Sequence, residues 1–182
     1  MKRTVLFFSL LLIACSGKTQ DIGYRTTDAG GGFVYTDKGT SYQLQFAMNA
    51  KLYHSFVFGG GYQAMKPQTT ATHTRETGKG WNAYLGYRYY FSYMPKRFFL
   101  GARAGIQSTR INWTDSEGTG NTNLLVLQPA METGFTFVFD DQFYITPHLL
   151  AAYQQLIQKK GDDVAPLKSF LPGAGIAMGF RF

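Results

Sequence analysis

The end of the chain alternates between bulky and small side chains at every second position, from Ser169 to Phe182. One parity carries the bulky residues Phe170, Pro172, Ala174, Ile176, Met178, Phe180 and Phe182. The other parity carries mostly glycine and alanine and ends in Arg181. Because successive side chains of a strand point to opposite faces, this pattern predicts a β-strand with one apolar, aromatic-ended face and one face of small residues.

The same alternation recurs along the chain. It predicts strands over residues 40–49, 55–66, 80–92, 97–110, 123–139, 142–155 and 169–182. A further first strand within residues 21–37 is expected to be bulged or broken, because Gly30, Gly31 and Gly32 interrupt its alternation. Pro129 and Pro147 each remove a donor from a strand ladder, so we expect a bulge at both.

The connections between these strands alternate in length. Short ones fall near residues 49–54, 93–96 and 140–141, and longer polar ones span 67–79, 112–122 and 158–168. This rhythm is typical of transmembrane barrels, which have short periplasmic turns and longer extracellular loops. A strand that crosses the hydrocarbon at about 45° needs roughly 9–11 residues. We therefore predict an all-β fold, an eight-stranded antiparallel up-and-down transmembrane β-barrel.

Four charged residues within these strands lie opposite the bulky parity. They are Arg88, Arg103, Glu132 and Arg181, and several glutamines share their face. Eight strands leave an interior just wide enough for side chains, so glycine, alanine and isolated polar residues suit the lumen. An arginine on the lipid face near the midplane would cost about 2–4 kcal/mol. The apolar parity is thus expected to face lipid.

The polar parity predicts a lumen network. Arg103 and Glu132 lie on neighbouring strands at similar depth, and we expect them to pair, with Arg88 as a further member. The network would be either a structural plug or a gate for small ions. Aromatic residues at strand ends indicate interfacial belts. Tyr89, Phe91, Phe98, Phe139, Phe143 and Phe182 would form the periplasmic belt, and Tyr62, Trp81 and Tyr153 the outer belt.

Residues 1–19 have the features of an export signal, leaving residues 20–182 as the barrel domain. Lys2 and Arg3 precede an apolar run, Val5 to Ala14, that is too short to span a bilayer as a helix. Leu12 to Cys15 resembles a lipobox, in which Cys15 would be lipidated; ordinary cleavage after Ala14-Cys15-Ser16 or near Gln20 is the alternative. As the only cysteine, Cys15 can form no disulfide within the chain.

Charge and spacing argue against several other functions. Charged residues make up 16% of the chain, against roughly 25% in soluble domains. Without the leader's three cations, 15 basic residues remain against 11 acidic ones, and they are scattered, which does not indicate nucleic-acid binding. His54, His73 and His148 lack metal-ligand spacing. We find no catalytic set, cofactor motif or metal site.

Together, the signal peptide, the eight amphipathic strands, the glycine-rich lumen parity and the terminal Phe180-Arg181-Phe182 resemble the small bacterial outer-membrane barrels. This is the OmpA, OmpX and OmpW-like "outer membrane protein beta-barrel domain" group, and the resemblance covers residues 21–182. It implies an outer-membrane location and contact with membrane lipids. It also implies that Phe180 and Phe182 belong to the recognition signal for the barrel-assembly machinery, although Ala177 stands where the pattern often has glycine.

The expected function is structural or surface-interacting. Loops 67–79, 112–122 and 158–168 would present a polar surface outside the cell, and we expect a monomer. A small pore or a transporter of apolar ligands is the alternative, and a lipid A-modifying enzyme is a third. A secreted soluble calycin-like barrel is a fourth, but it would need the opposite parity, with the apolar face inside.

Overall fold

A computed structural model describes residues 26–50, 53–69, 74–92, 96–116, 118–161 and 169–182. The strands are β1 Thr26–Thr36, β2 Gly39–Ala50, β3 His54–Met65, β4 Arg75–Tyr90, β5 Arg97–Thr114, β6 Thr119–Phe139, β7 Phe143–Tyr153, β8 Gln155–Lys160 and β9 Phe170–Arg181. Among the described residues, no helix has the length and apolar character needed to cross a membrane.

The strands close into a barrel. Each of β1 to β6 pairs antiparallel with the next strand along the chain. The last strand, β9, pairs with both β7 and β1, which closes the sheet. Strands β7 and β8 are two segments of one barrel strand, separated at Gln154, and both pair with β6. The predicted eight-stranded antiparallel barrel is therefore confirmed.

The orientation of the two faces is also as predicted. Leu44, Leu85 and Leu149 are 75%, 67% and 61% exposed on the outer wall, whereas Arg88 and Glu132 are 3% and 2% exposed. Only a lipid environment makes an outer wall of this composition stable, because large apolar areas facing water are unfavourable. The alternative of a soluble calycin-like barrel, with its apolar face inside, is wrong.

The prediction of a bulged or broken first strand is wrong. β1 runs without a register shift, and Gly31 pairs with Leu44 of β2 and with Met178 of β9. The glycines suit this position because the seam is tight: a Cβ on Gly30 or Gly32 would collide with backbone carbonyl oxygens of β9. Glycines, which have no side chain, interrupt the alternation of bulky and small residues in the sequence without interrupting the strand.

The bulges predicted at Pro129 and Pro147 are wrong as well. Pro129 lies opposite Ala104 in the uninterrupted β5–β6 register, and Pro147 lies opposite Ile176 in that of β7 and β9. Each proline therefore removes a donor without shifting its partner strand. Among the described strands, a register shift occurs instead between Leu125 and Val126, opposite β8.

The predicted outer loops are too long. β4 begins at Arg75, β5 continues to Thr114, β6 begins at Thr119 and β8 runs to Lys160, so strand replaces much of the expected loop. In this outer part the polarity of the two faces reverses. Its inward side chains form an apolar cluster of Ile111, Leu124 and Val126, with Met65 packed against them. The reversal follows from leaving the bilayer, since the outward face here meets water.

Candidate functional site

The polar parity of the strands meets inside the barrel. At the end with the short turns, Asp28 of β1 and Arg181 of β9 face each other directly across the closing seam. Arg181 donates from Nε to Asp28 Oδ1 and from Nη2 to Oδ2, both at 2.7 Å. Both side chains are buried, and such bidentate pairs are among the stronger charge-assisted interactions.

A second ion pair spans two strands. Arg88 of β4 donates from Nε to Glu132 Oε1 of β6 at 2.6 Å, passing over the intervening strand β5. Gly101 of β5 is the register partner of both residues, and its missing side chain leaves the space in which they meet. A Cβ there would lie 3.0 Å from Glu132 Cγ and 3.1 Å from Arg88 Cγ. The Arg88 guanidinium also lies 4.7 Å from the centroid of the Phe99 ring.

Arg103 has a different partner from the one we predicted. Its guanidinium carbon lies 4.7 Å from the centroid of the Tyr84 ring, where a cation–π interaction holds it, and Glu132 is paired with Arg88 instead. The Tyr84 ring occupies space left open by Gly59, where a Cβ would lie 2.5 Å from the ring. Arg103 is thus a stacked cation beside the ion pair.

Uncharged groups complete the interior. Thr136 and Thr146 hydroxyls lie 3.0 Å apart, and His148 Nδ1 lies 3.2 Å from the Thr146 carbonyl oxygen, to which it donates. Towards the outer end, Asn82 Nδ2 donates to Ser41 Oγ at 2.7 Å. These contacts place His148 in a hydrogen-bonded lumen position.

The other residues singled out in the sequence lie apart from this network. His54 is on the outer wall near the short-turn end, with Nδ1 2.5 Å from the Tyr87 hydroxyl. His73 and Cys15 lie outside the described residues, as does the whole leader. In the part of the chain that the structure describes, no three His, Cys, Asp or Glu residues come together as a metal site.

Side chains occupy the axis of the barrel. Two interior cavities measure about 10 and 20 Å³, which is room for about one water each. Arg103 and Asn82 border the larger cavity. The arrangement can hold charges and hydrogen bonds in place, and neither of these two cavities, as the described residues line them, gives a solute space comparable to a ligand pocket.

Sequence reasoning missed several lumen residues. Asp28 begins the glycine-rich interruption, which hides the alternation there, although Asp28 shares its parity with Gly30 and Val34. Tyr84 and Tyr144 are aromatic residues on the small-residue parity, where each fills the space beside a glycine of another strand. Aromatic residues on the parity that otherwise carries small side chains therefore indicate, from sequence alone, that the lumen is filled.

Aromatic residues mark both ends of the outer wall. At the short-turn end, Phe143 lies 6.1 Å from Phe139 and 5.7 Å from Phe180, measured between ring centroids, and Phe182 is 77% exposed. At the other end Tyr62, Trp81 and Tyr153 are half exposed. Aromatic rings in two bands are characteristic of the membrane interfaces.

No protein-family model and no curated protein sequence matches the chain. Solved structures do match it. A major outer membrane protein from Thermus thermophilus has a TM-score of 0.57 at 12% identity, over 87% of this chain and 100% of that one. Ail, the attachment invasion locus protein of Yersinia pestis, has 0.54 at 10%, over 87% and 96%. The N-terminal β-barrel domain of Pseudomonas aeruginosa OprF has 0.52 at 14%, over 88% and 100%.

The chain has the fold of the small bacterial outer-membrane β-barrels. The apolar outer wall and the two aromatic bands are those of a barrel that spans a bilayer, and this barrel lies in the outer membrane. The end with the β2–β3, β4–β5 and β6–β7 connections then faces the periplasm, and the extended ends of β4, β5, β6 and β8 face the cell exterior.

Proposed function

We propose that this outer-membrane barrel acts as a structural and surface-interacting protein, without a pore and without enzymatic activity. The observation that carries the proposal is the filled lumen, in which the Arg88–Glu132 pair and the stacked Arg103 cross the interior beside cavities of about 10 and 20 Å³. A barrel filled in this way acts through its surfaces. We expect it to do so as a monomer.

The external end supports a role in surface interaction. The strands β5 and β6 pair as far as Thr114 and Thr119, so they form a ribbon that continues beyond the apolar wall. Its outward residues Asn112, Asn121 and Asn123 are exposed and polar. Such a ribbon presents a defined surface at lower entropic cost on binding than a long flexible loop.

Conductance in a planar lipid bilayer tests the filled lumen. We expect wild-type protein to be silent, and Glu132→Gln to remain silent, because Arg103 and the rings of Tyr84 and Phe99 still occupy the axis. The positive control is the combined variant Tyr84→Ala, Arg88→Ala, Glu132→Ala, with folding checked by the shift in gel mobility between unboiled and boiled samples. Stepwise conductance in the wild type would contradict the proposal and support the pore. Conductance that appears only in Glu132→Gln would support the ion gate.

The enzymatic alternative has its own test. Mass spectra of lipid A from cells that express the barrel are expected to match those from cells without it. Loss or gain of an acyl chain that depends on His148 would contradict the proposal. His148 is the histidine that faces the lumen among the described residues.

We further propose that Phe180 and Phe182 form the signal read by the barrel-assembly machinery. Both side chains point outward at the periplasmic end, 59% and 77% exposed, so they are accessible before the barrel closes. Phe182→Ser is expected to reduce the amount of folded barrel in the outer membrane. Phe170→Ser is the matched control, because Phe170 lies on the same strand and is 60% exposed at the opposite end. Equal loss in the two variants would contradict a terminal signal.

A further inference from the structure

A row of cations crosses the outer wall just outside the apolar band. Lys79 of β4 lies directly opposite Arg110 of β5, Arg110 opposite Asn123 of β6, and Asn123 opposite Lys160 of β8. All four residues are exposed. Neighbouring strands are about 4.8 Å apart, so the row extends over roughly 14 Å.

This row is not neutralised by the strands that carry it. The acidic residues of β4, β5, β6 and β8 are Glu76 and Glu132, and both are buried on the lumen side, 4% and 2% exposed. Within the described residues, Lys79, Arg110 and Lys160 make no ion pair. Like charges directly opposite each other on adjacent strands are destabilising. Among the described residues, the row therefore has no anion paired with it, and the position between Lys79 and Arg110 is where one would be bound.

An apolar groove lies below this row on the same wall. It has a volume of about 510 Å³ and is lined by Phe58, Ala83, Leu85, Ala104, Ile106 and Leu127. Ala83 and Ile106 each lie four residues towards the membrane from Lys79 and Arg110 respectively, which is about 13 Å along the strand. Between the cations and the groove, the small side chain of Ser108 lies opposite Trp81 of the outer aromatic band.

We propose that this surface is a binding site for a phosphorylated lipid of the outer leaflet. A headgroup phosphate lies between Lys79 and Arg110, with Lys160 and Asn123 contacting the rest of the headgroup, and one acyl chain of the same lipid lies in the groove. Cations at the level of the headgroups, above an apolar groove and beside the outer aromatic band, match both parts of such a molecule. The proposal is independent of whether the lumen conducts.

Native mass spectrometry of the full barrel, released from phosphatidylcholine nanodiscs that contain bisphosphorylated lipid A, tests the site. We expect one lipid A to remain bound to the wild type. For Lys79→Gln/Arg110→Gln we expect affinity to fall about fivefold for each cation removed, hence about 25-fold. Lys96→Gln/Arg97→Gln, the charge-matched control at the periplasmic end, should bind as the wild type does. Folding of each variant is checked by heat-modifiable gel mobility.

Two further arms separate the parts of the ligand. Ala104→Phe fills the groove without changing charge, and we expect it to weaken retention of lipid A. Dephosphorylated lipid A and inorganic phosphate are both expected to compete poorly, because each lacks one half of the ligand. Equal retention by the double variant and its control would overturn the proposal, as would competition by inorganic phosphate at the concentration where lipid A competes. Unchanged retention by Ala104→Phe would overturn the acyl-chain part.

Discussion

At the residue scale, glycines decide where charges can meet in the lumen. Arg88 and Glu132 reach each other across β5 because Gly101 has no side chain between them. Gly59 does the same for the ring that carries Arg103. The charged pair is buried, so its stability depends on both partners being present, since an unpaired buried charge is far more costly than no charge.

Removing one partner of the central ion pair should therefore be worse than removing both. We expect Glu132→Leu to lower the free energy of unfolding by about 3–5 kcal/mol, because it leaves Arg88 buried without its carboxylate. The double variant Arg88→Met/Glu132→Leu should recover most of that loss. Urea unfolding in lipid vesicles, followed by tryptophan fluorescence, measures both. A double variant less stable than Glu132→Leu would contradict this account.

A side chain at Gly101 should separate the same pair. We expect Gly101→Ala to cost about 1–3 kcal/mol, because its Cβ would lie 2.8 Å from the Tyr87 carbonyl oxygen and close to both partners. Gly31→Ala is the matched control: on β1, the nearest atoms to a Cβ are 3.4 Å away. Unfolding in urea compares the two variants. Equal destabilisation would show that space at Gly101 is not what positions the ion pair.

At the scale of the element, each long strand contains two environments. On β4, Leu85 faces outward in the apolar band, 67% exposed, whereas Arg75, Thr77 and Lys79 face outward beyond it. On β5, the inward side changes from Arg103 to Ile111 over the same distance. The same strand is thus apolar outside within the bilayer and apolar inside above it, as the solvent dictates.

The stability cost of an outward arginine on β4 should differ between the part of the strand in the bilayer and the part in water. We expect Leu85→Arg to cost about 2–4 kcal/mol, because it places a charge near the midplane, and Thr77→Arg to cost about 0–1 kcal/mol. Unfolding in urea from lipid vesicles measures the difference. Similar costs at the two positions would contradict the placement of the bilayer on the outer wall.

The parity of charge and bulk was enough to predict the barrel, its outward apolar face and the lumen position of Arg88, Arg103, Glu132 and Arg181. The pattern failed where its assumption failed. Above the membrane the apolar residues, such as Ile111 and Leu124, point inward and the outward residues are polar. Residues 112–122 therefore lack the outward apolar parity by which the strands are recognised, and the sequence predicts a loop there. The partner of Glu132 depends on Gly101 and on rings packed nearby, which are three-dimensional facts that strand neighbourhood alone does not contain.

At the scale of the whole molecule, closure joins the first strand, β1, to the last strand, β9. Backbone hydrogen bonds link Thr27 and Phe182 in both directions, at 2.9 and 2.8 Å, and the Asp28–Arg181 pair lies beside them. The inward side of this seam carries glycines that pack through backbone contact. The charged pair is therefore the main side-chain link across the periplasmic part of the closure.

Weakening that link should lower the temperature at which the barrel opens. We expect Asp28→Asn to shift the transition from the folded to the unfolded gel band to lower temperature, because the two bonds to a carboxylate are replaced by a single hydrogen bond from the Arg181 guanidinium to an uncharged amide oxygen. Asp141→Asn is the control, since Asp141 pairs with Lys96 on the exposed periplasmic surface, where an ion pair contributes little. A larger shift in the control would contradict the role of the seam.

The paired ribbon of β5 and β6 affects how readily extracellular proteases can cleave the protein. Proteases cleave chain that can enter their active sites in extended form, and the segment 109–114 is hydrogen-bonded to neighbours on both sides. Treatment of intact cells with trypsin should therefore leave the peptide bond after Arg110 uncut, although its side chain is exposed to the enzyme.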